Sequence, residues 1–566
     1  MKRYFLIDNA SVAAQYGVGT YIRQMKRILQ SISDLELAYI DMYSDVKEYT
    51  IQNDEDGYVH YKIPVNYYNG ENSQYCRNIF YFIIQNIHLH DGDIVFFHFN
   101  YYHHLTLAKY LKAHDIRFKI ILTLHYMNWC FELNGNLTQY KKILSGQYST
   151  TADERACGYE PIDERKVESV LNDRDGLCSF LHIADEVIVL SNFAKELCIK
   201  EYHVVPEKLH LIYNGIENSQ SPIDKSSFNY TNLNFAEKRI ILYVGRLEKT
   251  KGTDYLIQAF TQMCDRYPDI HLVLIGGGNI ERTLTFAKYY WDRITFLGKV
   301  EKAVVDYFYR LAVIGVLPSF GEQCSYAAIE MMSYGIPMII TDSTGLKEML
   351  DDCPKNIVHV DEGAFNENEL VAQLVEKMQQ LLDDSHFHQE CSRMMYNIYE
   401  GRYTFGRMTN SVKQLLIEMA LERILLKEDF LQKIENKMIR FIHFGKGLDY
   451  EFFGMTGIGC YIWWRIQKKL QDKDGNKLKI YALQEQMIHY LDWLYDEIWK
   501  DYSLRGVCEP CIELRWLLHS LFLSGFYKAR VQEISAMLSI SHDSIRNLNE
   551  YDILSNSVKI YNSKCE

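Results

Sequence analysis

Two glutamates, Glu322 and Glu330, stand with seven residues between them around the expected start of a helix. An apolar run precedes them and predicts a strand, Ser325 can cap the helix, and Gly335 can end it. Free N–H groups at such a helix start bind phosphate. A carboxylate on the same helix can accept hydrogen bonds from both hydroxyls of a ribose. The alternative is that each glutamate is a solvated surface residue.

A second cluster lies in the segment from Tyr243 to Gly252. A predicted strand ends at Gly245, which permits close approach of the backbone to a ligand. Arg246 offers a planar fork for phosphate oxygens, and Lys251 offers a compact point charge. A diphosphate leaving group needs such cations because negative charge grows on it as its bond breaks. The alternative for Arg246 is a surface ion pair with Glu248.

The N-terminal part of the chain contributes weaker candidates. Gly17 and Gly19 could form a loop that approaches a ligand before a helix begins at Thr20. A single Gly-x-Gly is weak evidence, because turns use glycine constantly. His125 ends a predicted strand, which suits a role in a cleft, although a lone histidine there is more often structural.

The elements that must position these residues alternate between short apolar runs and helical periods. This pattern predicts βαβ units and parallel sheets. The strand-like runs fall into two series: Tyr4–Ile7, Ile94–Phe97, Ile120–Leu124 and Glu186–Leu190, and then Ile240–Val244, His271–Ile275, Ala312–Leu317 and Pro337–Ile340. The polar stretch between the series, Glu217–Lys238, is interpreted as an interdomain linker.

We therefore expect an α/β protein with two facing, doubly wound Rossmann-like domains and a helical C-terminal domain. Ligands of such sheets bind beyond the carboxyl ends of the strands. An insertion within the first domain, which is polar and poorly periodic in its middle, is expected to form a long loop. The expected boundaries are 1–222 with the insertion at about 126–177, 238–404, a helix at 405–425 returning to the first domain, and 430–566.

The motifs together resemble the group 1, family four retaining glycosyltransferases, which have the GT-B fold. Two motifs carry the resemblance. The first is Val-Gly-Arg-Leu…Lys-Gly, and the second is Pro-Ser…Glu followed by seven residues and another Glu. It covers residues 1–410, and weaker matches support it at Ala184–Ser191, Ile212–Ile216, Ile275–Gly278 and Phe296–Val300.

The resemblance implies a role for each candidate. Arg246 and Lys251, with the loop of Gly17 and Gly19, would bind the donor diphosphate. His125 and Glu322 would lie near the transferred sugar and the anomeric centre. The residues that would contact the donor ribose or sugar are Glu330, Gly245, Gln323, Ser325 and Tyr326. The reaction would retain the anomeric configuration, by front-side attack, with no metal and no cofactor.

The sequence departs from the family pattern after the first glutamate. A bulky residue and a glycine are common there, and this chain has Cys324 and Ser325. The departure leaves the donor sugar undetermined. Cys324 is interpreted as a packing residue, because this chemistry needs no thiol.

Composition excludes several other classes. The formal net charge of −13 argues against nucleic-acid binding, which usually needs a basic face. The 13 scattered cysteines indicate reduced, buried thiols rather than a disulfide scaffold. The N-terminal apolar run is too short for a signal peptide, and no apolar stretch reaches about 18 residues. We therefore expect a cytoplasmic protein.

Other features are interpreted as structural. The acidic pairs Asp54–Asp56 and Asp173–Asp175 are expected to be solvated in irregular stretches. The other features are the single CxxC at Cys508–Cys511, the helix-turn-helix-like Val531–Arg546 and the aromatic patch Phe452–Trp464. The aromatic patch could instead make a peripheral membrane contact.

Three functions remain open. The first is transfer of a sugar from a UDP- or GDP-linked donor to a saccharide or lipid-linked glycan, by a hexosyl- or N-acetylhexosaminyl-type enzyme. The second is transfer to a peptide or protein side chain. The third is a sugar-responsive regulator that uses the helix-turn-helix-like segment.

Overall fold

The computed structural model describes most of the chain up to residue 419 and a few short pieces beyond it. The described residues are 2–9, 17–33, 35–65, 73–87, 93–114, 118–148, 163–218, 235–287, 289–362, 365–419, 487–488, 491–492, 517–518, 521 and 528–537. The chain divides into two compact units, residues 1–108 with 119–416 and residues 109–118 with 417–566.

The first sheet has eight strands in the order β3-β4-β2-β1-β5-β6-β7-β8. The strands are β1 Lys2–Asn9, β2 Leu35–Ser44, β3 Thr50–Asn53, β4 Val59–Pro64, β5 Ile94–Phe99, β6 Phe118–Leu124, β7 Glu186–Val189 and β8 Leu209–Leu211. β1 pairs in parallel with β2 and β5, and only the edge strand β3 is recorded as antiparallel to its neighbour. Apart from that edge hairpin, the order reverses beside β1, so β1 and β5 define a switch point.

Helices connect these strands. They are α1 Gly17–Gln30, α2 Ser73–Gln85, α3 Leu105–His114, α4 Trp129–Glu132, α5 Leu137–Leu144, α6 Glu164–Ile183 and α7 Asn192–Lys200. In α1, the side chains of Tyr21, Ile22, Met25, Ile28 and Leu29 are buried. This spacing gives one apolar face, which packs the helix in the interior.

The second sheet has six parallel strands in the order β11-β10-β9-β12-β13-β14. They are β9 Arg239–Val244, β10 Ile270–Ile275, β11 Ile294–Gly298, β12 Ala312–Leu317, β13 Met338–Thr341 and β14 Ile357–Val358. This is the 3-2-1-4-5-6 order of dinucleotide-binding domains, so the switch point lies between β9 and β12. The loops that follow these two strands must therefore meet at one edge of the sheet.

The second half has its own helices. They are α8 Thr253–Met263, α9 Ile280–Ala287, α10 Lys302–Leu311, α11 Tyr326–Ser333, α12 Thr344–Met349, α13 Glu367–Asp383, α14 Ser385–Ile398 and α15, residues 405–419. The Phe405 N–H donates to the Ile216 carbonyl at 2.8 Å, and the Tyr399 hydroxyl donates to the same oxygen at 3.0 Å. The chain therefore contacts the end of its first half where α15 begins.

The eight predicted strands are confirmed, with the last beginning at Met338 instead of Pro337. The two described ends of the insertion at 126–177 contain α4, α5 and much of α6, so the expected loop is wrong there, whereas its middle, residues 149–162, lies outside the described residues. The expected loop of Gly17 and Gly19 is also wrong. Both glycines lie in the first turn of α1, which begins three residues earlier than predicted.

In the second unit, the described part includes helix α16, Lys528–Met537. Arg530 pairs with Asp492 and Glu533, at 2.8 and 2.9 Å, and the side chains of Val531 and Ile534 are buried. Several segments that the sequence analysis singled out lie wholly or mostly outside the described residues. They are Cys508–Cys511, Phe452–Trp464, most of the linker Glu217–Lys238 and most of Val531–Arg546.

Candidate active site

Lys251 and Glu322 meet at the switch point of the second sheet. Lys251 follows β9 and Glu322 follows β12, and the distance between Nζ and Oε1 is 2.6 Å. The Lys251 side chain is 11% exposed and that of Glu322 is 23% exposed. The fold thus places one cation and one carboxylate, both mostly buried, where this topology binds ligands.

The backbone around Lys251 explains its position. Lys251 ends a short 3-10 turn, and Gly252 follows with φ of 64°. A Cβ built at Gly252 would overlap the carbonyl oxygen of Pro318, so a larger residue would separate the two loops. The Phe320 N–H also donates to the Thr250 carbonyl at 2.8 Å. These contacts fix the β9 loop against the β12 loop.

Arg246 lies in the same loop and forms an ion pair with Glu248, which the sequence analysis named as the alternative to phosphate binding. Its Nη1 is 2.9 Å from Glu248 Oε1, and its guanidinium lies 5.9 Å from the Phe131 ring centroid. The Tyr243 hydroxyl donates to the Arg246 carbonyl at 2.6 Å, and burial raises the pKa of Tyr243. A ligand phosphate would have to compete with Glu248 for the Arg246 guanidinium.

The loop that carries Glu322 is supported from α12. The Glu322 N–H donates to the Thr344 hydroxyl at 2.9 Å, and the Gly345 N–H donates to the Glu322 carbonyl at 2.9 Å. A Cβ at Gly345 would overlap the Gln323 carbonyl oxygen. Thr344 adopts φ of 44°, which is uncommon for a β-branched residue. The surrounding structure therefore constrains where the Glu322 backbone lies.

Helix α11 begins as predicted. Ser325 is its N-cap and accepts from the Ala328 N–H at 3.4 Å. Tyr326 is buried, and its hydroxyl has no hydrogen-bond partner in the described part of the chain. A Cβ built at Gly17 would lie 3.9 Å from the Tyr326 ring. The start of α1 therefore lies beside the start of α11.

Glu330 has two partners that the sequence did not suggest. Its Oε1 is 2.9 Å from Lys302 Nζ, and its Oε2 accepts from the Tyr309 hydroxyl at 2.7 Å. The neighbouring carboxylate raises the pKa of Lys302 even though burial lowers it. Each carboxylate oxygen keeps a further lone pair for a ribose hydroxyl. Lys302 and Tyr309 both lie on α10, and no motif in the sequence linked that helix to Glu330.

Gln323 and Cys324 bond to the first half of the chain. The Ser191 hydroxyl donates to Gln323 Oε1 at 2.8 Å, and Asn214 Nδ2 donates to the Cys324 carbonyl at 2.7 Å. Gln323 was expected to contact the donor sugar, but its amide oxygen bonds to the N-cap residue of α7. Burial raises the pKa of the Cys324 thiol, which fits a packing role.

His125 follows β6 and is partly exposed. Its Nε2 lies 3.0 Å from Asn100 Oδ1, and its ring contacts the Tyr21 ring edge-on with 4.6 Å between centroids. Desolvation lowers the pKa of His125 to about 3, and the neighbouring His98 adds to the shift. The imidazole is therefore neutral at physiological pH.

The segment from α4 to α5, within the predicted insertion, contacts the β12 loop and Glu362. Gly135 lies against the Phe320 carbonyl, and the Cys130 Cβ lies 3.2 Å from a Cβ built at Gly321. Glu362 accepts from the Thr138 N–H and hydroxyl, at 2.9 and 3.0 Å. Sequence reasoning missed these contacts because it treated this part of the chain as a loop.

One expectation about acidic residues is wrong. Asp173 lies on α6, not in an irregular stretch, and accepts from the Tyr102 hydroxyl at 2.9 Å. Burial raises its pKa. Asp54 instead lies in the turn between β3 and β4, where it accepts from the Tyr58 N–H. Within the described residues, no group of three His, Cys, Asp or Glu side chains could hold a metal ion.

Two family models match the chain. The model for glycosyl transferases group 1 matches residues 227–400, and the model for glycosyltransferase family 4 matches residues 17–220. The second sheet and its site lie within the first match, and the first sheet lies largely within the second. The chain belongs to the group 1, family 4 glycosyltransferases, and its two Rossmann-like domains form the GT-B fold.

Curated relatives match only part of the chain. An uncharacterised glycosyltransferase of Methanocaldococcus jannaschii is 30% identical over 173 residues, which are 29% of this chain and 44% of that protein. Mannosylfructose-phosphate synthase of Agrobacterium fabrum is 29% identical over 175 residues, 29% of this chain and 38% of that enzyme. The chain thus spans less than half the length of these relatives.

Solved structures match more of the chain. Sucrose-phosphate synthase from Thermosynechococcus elongatus has a TM-score of 0.56 at 19% identity, covering 74% of this chain and 99% of that one. The Anabaena protein HepE in complex with UDP has a TM-score of 0.51 at 14% identity, covering 74% and 100%. At these identities the match establishes the fold alone. Among the described residues, no helix is long and apolar enough to cross a membrane.

Proposed function

We propose that this protein transfers a sugar from a nucleoside-diphosphate sugar to an acceptor, with retention of the anomeric configuration. The contact between Lys251 and Glu322 carries the proposal. A cation for the departing diphosphate and a carboxylate for the transferred sugar lie 2.6 Å apart between two switch-point strands. Arg246 lies in the same loop as Lys251 and supplies a second cation, and Glu330 lies on the helix that follows Glu322.

The chemistry follows from where charge develops. The bond between the anomeric carbon and the diphosphate oxygen breaks, and that oxygen gains negative charge that Lys251 and Arg246 stabilise. The acceptor hydroxyl oxygen forms the new bond from the same face, and its proton passes to the departing phosphate oxygen. His125 is neutral and orients the sugar, and no bound metal or cofactor takes part.

The acceptor is proposed to be a saccharide or a lipid-linked glycan. Mannosylfructose-phosphate synthase is named for a phosphorylated disaccharide, so sugar phosphates belong in the first set of acceptors. Transfer to a peptide side chain is the alternative outcome of the same assay. The donor panel begins with UDP-linked sugars because a protein of the same fold, HepE, was solved with UDP.

The test incubates the full chain with UDP- and GDP-linked hexoses and N-acetylhexosamines and a panel of acceptors. Mass spectrometry detects an acceptor heavier by one sugar residue, and proton NMR of the product reads its anomeric configuration. We expect a product that keeps the donor's configuration. An inverted product would refute retention, and no transfer to any saccharide, lipid-linked or peptide acceptor would refute the proposal.

A further inference from the structure

The amide of Asn100 connects His125 to the backbone of the central strand β1. Asn100 follows β5 and is 1% exposed. Its Nδ2 donates to the Ile7 carbonyl at 2.9 Å, and its Oδ1 lies 3.0 Å from His125 Nε2. Residues at or near the carboxyl ends of the neighbouring strands β1, β5 and β6 therefore contribute to one chain of hydrogen bonds.

The chemistry of these partners fixes the proton on His125. A backbone carbonyl can only accept, so the NH₂ group of Asn100 must face Ile7. The amide oxygen, which can only accept, then faces His125 Nε2, and Nε2 must carry a hydrogen. If the amide were rotated, the carbonyls of Asn100 and Ile7 would face each other without a hydrogen between them.

The surroundings keep the ring neutral. Among the described residues, two titratable groups face His125: Tyr21 from α1, whose hydroxyl bonds to the Thr123 hydroxyl, and His98 from β5. Burial lowers the pKa of both histidines to about 3. A neutral imidazole that is protonated at Nε2 has a bare Nδ1. This Nδ1 has no hydrogen-bond partner in the described part of the chain, and the ring is partly exposed.

We propose that Asn100 is a positioning residue that holds His125 in the tautomer protonated at Nε2, so that Nδ1 accepts a hydrogen bond from a substrate hydroxyl. The hydroxyl part rests on the proposed function, whereas the tautomer does not. His125 then orients the sugar and gives no proton to the leaving group. The site would select a sugar with a hydroxyl at that position and disfavour its deoxy analogue.

The tautomer is tested without any substrate. Long-range ¹H–¹⁵N NMR of the full chain, with labelled histidines, separates protonated from bare ring nitrogens, and the His125→Gln spectrum identifies the His125 signals. From pH 8 to pH 5 we expect a neutral ring with a bare Nδ1. A proton on Nδ1, or a cationic ring at pH 6, would overturn the proposal.

Asn100→Asp tests the positioning role. A carboxylate at this place stabilises the imidazolium, so we expect His125 to take up its second proton between pH 5 and 8. Asn86→Asp is the matched control, because Asn86 also donates to a backbone carbonyl, that of Phe82, but is exposed. It should leave the His125 signals unchanged. Unchanged His125 signals in folded Asn100→Asp would contradict the role of Asn100.

The acceptor role of Nδ1 has its own test, which does not depend on Asn100→Asp folding. Glutamine at position 125 offers the same pair of one donor and one acceptor, whereas phenylalanine offers neither. The probes are UDP-glucose and GDP-mannose, with UDP and GDP as references that lack the sugar. We expect His125→Phe to bind the nucleotide sugars about three- to tenfold more weakly than wild type does, after correction for any change in affinity for UDP or GDP. The loss for His125→Gln should be smaller. Equal losses would refute the hydroxyl contact. If wild type transfers no sugar, the proposed function fails while the NMR result still decides the tautomer.

Discussion

Lys251 and Glu322, which are separated by 71 positions in the sequence, form an ion pair with 2.6 Å between Nζ and Oε1. Parallel strands and two closely packed loops bring them together at the point where the strand order reverses. The ion pair holds the Lys251 ammonium group in place, at the position where we propose that it contacts a diphosphate. Pre-positioned charge of this kind stabilises a transition state without reorganisation.

Lys251→Met removes the cation and leaves Glu322 without this partner. Because the pair is mostly but not fully buried, we expect a loss of roughly 1 to 2 kcal/mol in the free energy of unfolding. Binding of UDP or GDP should weaken at least tenfold, since a hydrogen bond to a charged group contributes about 1.5 to 3 kcal/mol. Urea denaturation and calorimetric titration measure the two effects.

Lys200→Met is the control for Lys251→Met, since Lys200 forms an exposed ion pair with Glu196 at 2.8 Å. An exposed pair contributes little, so stability should change by less than about 1 kcal/mol and nucleotide affinity should not change. The account would be wrong about Lys251 if the two variants bound nucleotide equally well.

We expect Glu248 to compete with a bound diphosphate for the guanidinium of Arg246, because the two side chains form an ion pair. Arg246→Met should weaken diphosphate binding by about 1.5 to 3 kcal/mol. Glu248→Gln should strengthen it, because the carboxylate no longer holds the guanidinium at 2.9 Å. Calorimetric titration of both variants with the same nucleotide tests this, and weaker binding by Glu248→Gln would show that the ion pair positions Arg246 for the ligand instead.

Glu330 is expected to distinguish ribose from deoxyribose. Wild type should prefer UDP over 2′-deoxy-UDP by about tenfold, because a carboxylate accepts a stronger hydrogen bond than a neutral group. Glu330→Gln should reduce this preference. Tyr309→Phe should keep it, because it removes one donor to Glu330 and leaves the carboxylate in place. Equal affinity of wild type for the two nucleotides would remove Glu330 from the ribose site.

The buried His98 should make stability depend on pH. Its side chain is fully buried, with Tyr4 and Thr123 as partners, and burial lowers its pKa to about 3. In the unfolded chain, His98 takes up a proton near pH 6.5, whereas in the folded chain it takes up this proton only near pH 3. Stability is therefore complete above pH 6.5 and falls by about 1.4 kcal/mol per pH unit as the pH decreases through this window.

His98→Gln should remove that contribution. The free energy of unfolding, measured by urea denaturation from pH 7 down to pH 4, should then fall less steeply than in wild type. His125 has the same direction of shift but is partly exposed, so its contribution is smaller. Parallel slopes for His98→Gln and wild type would indicate that His98 is protonated in the folded state.

The sequence predicted the elements that carry strong local patterns. Uninterrupted apolar runs marked eight strands, including β9 and β12, and the Ser325 cap marked the start of α11. Edge strands such as β3 and β14 are short and partly exposed, so they lack such runs. Gly17 and Gly19 suggested a loop, but glycine in a first helical turn gives the same local signal.

The missed contacts are those between distant segments. These contacts depend on how helices and strands pack, and no spacing in one sequence reveals such pairs. They include the contacts of Lys302 and Tyr309 with Glu330, of Asn100 with His125, and of Ser191 with Gln323. Gln323 is one example, because its amide oxygen accepts a hydrogen bond from Ser191 in the first half of the chain. A side chain beside a motif can bond to a neighbouring domain.

The most direct test of the central claim is thermal unfolding of wild type and Lys251→Met with UDP, GDP and ADP. A diphosphate at about a hundred times its Kd stabilises a protein by roughly 2.7 kcal/mol. We predict a higher Tm of wild type with at least one of the three nucleotides, and a much smaller shift for Lys251→Met at the same concentration. No shift of wild type with any of the three would contradict the claim that this site binds a nucleoside diphosphate.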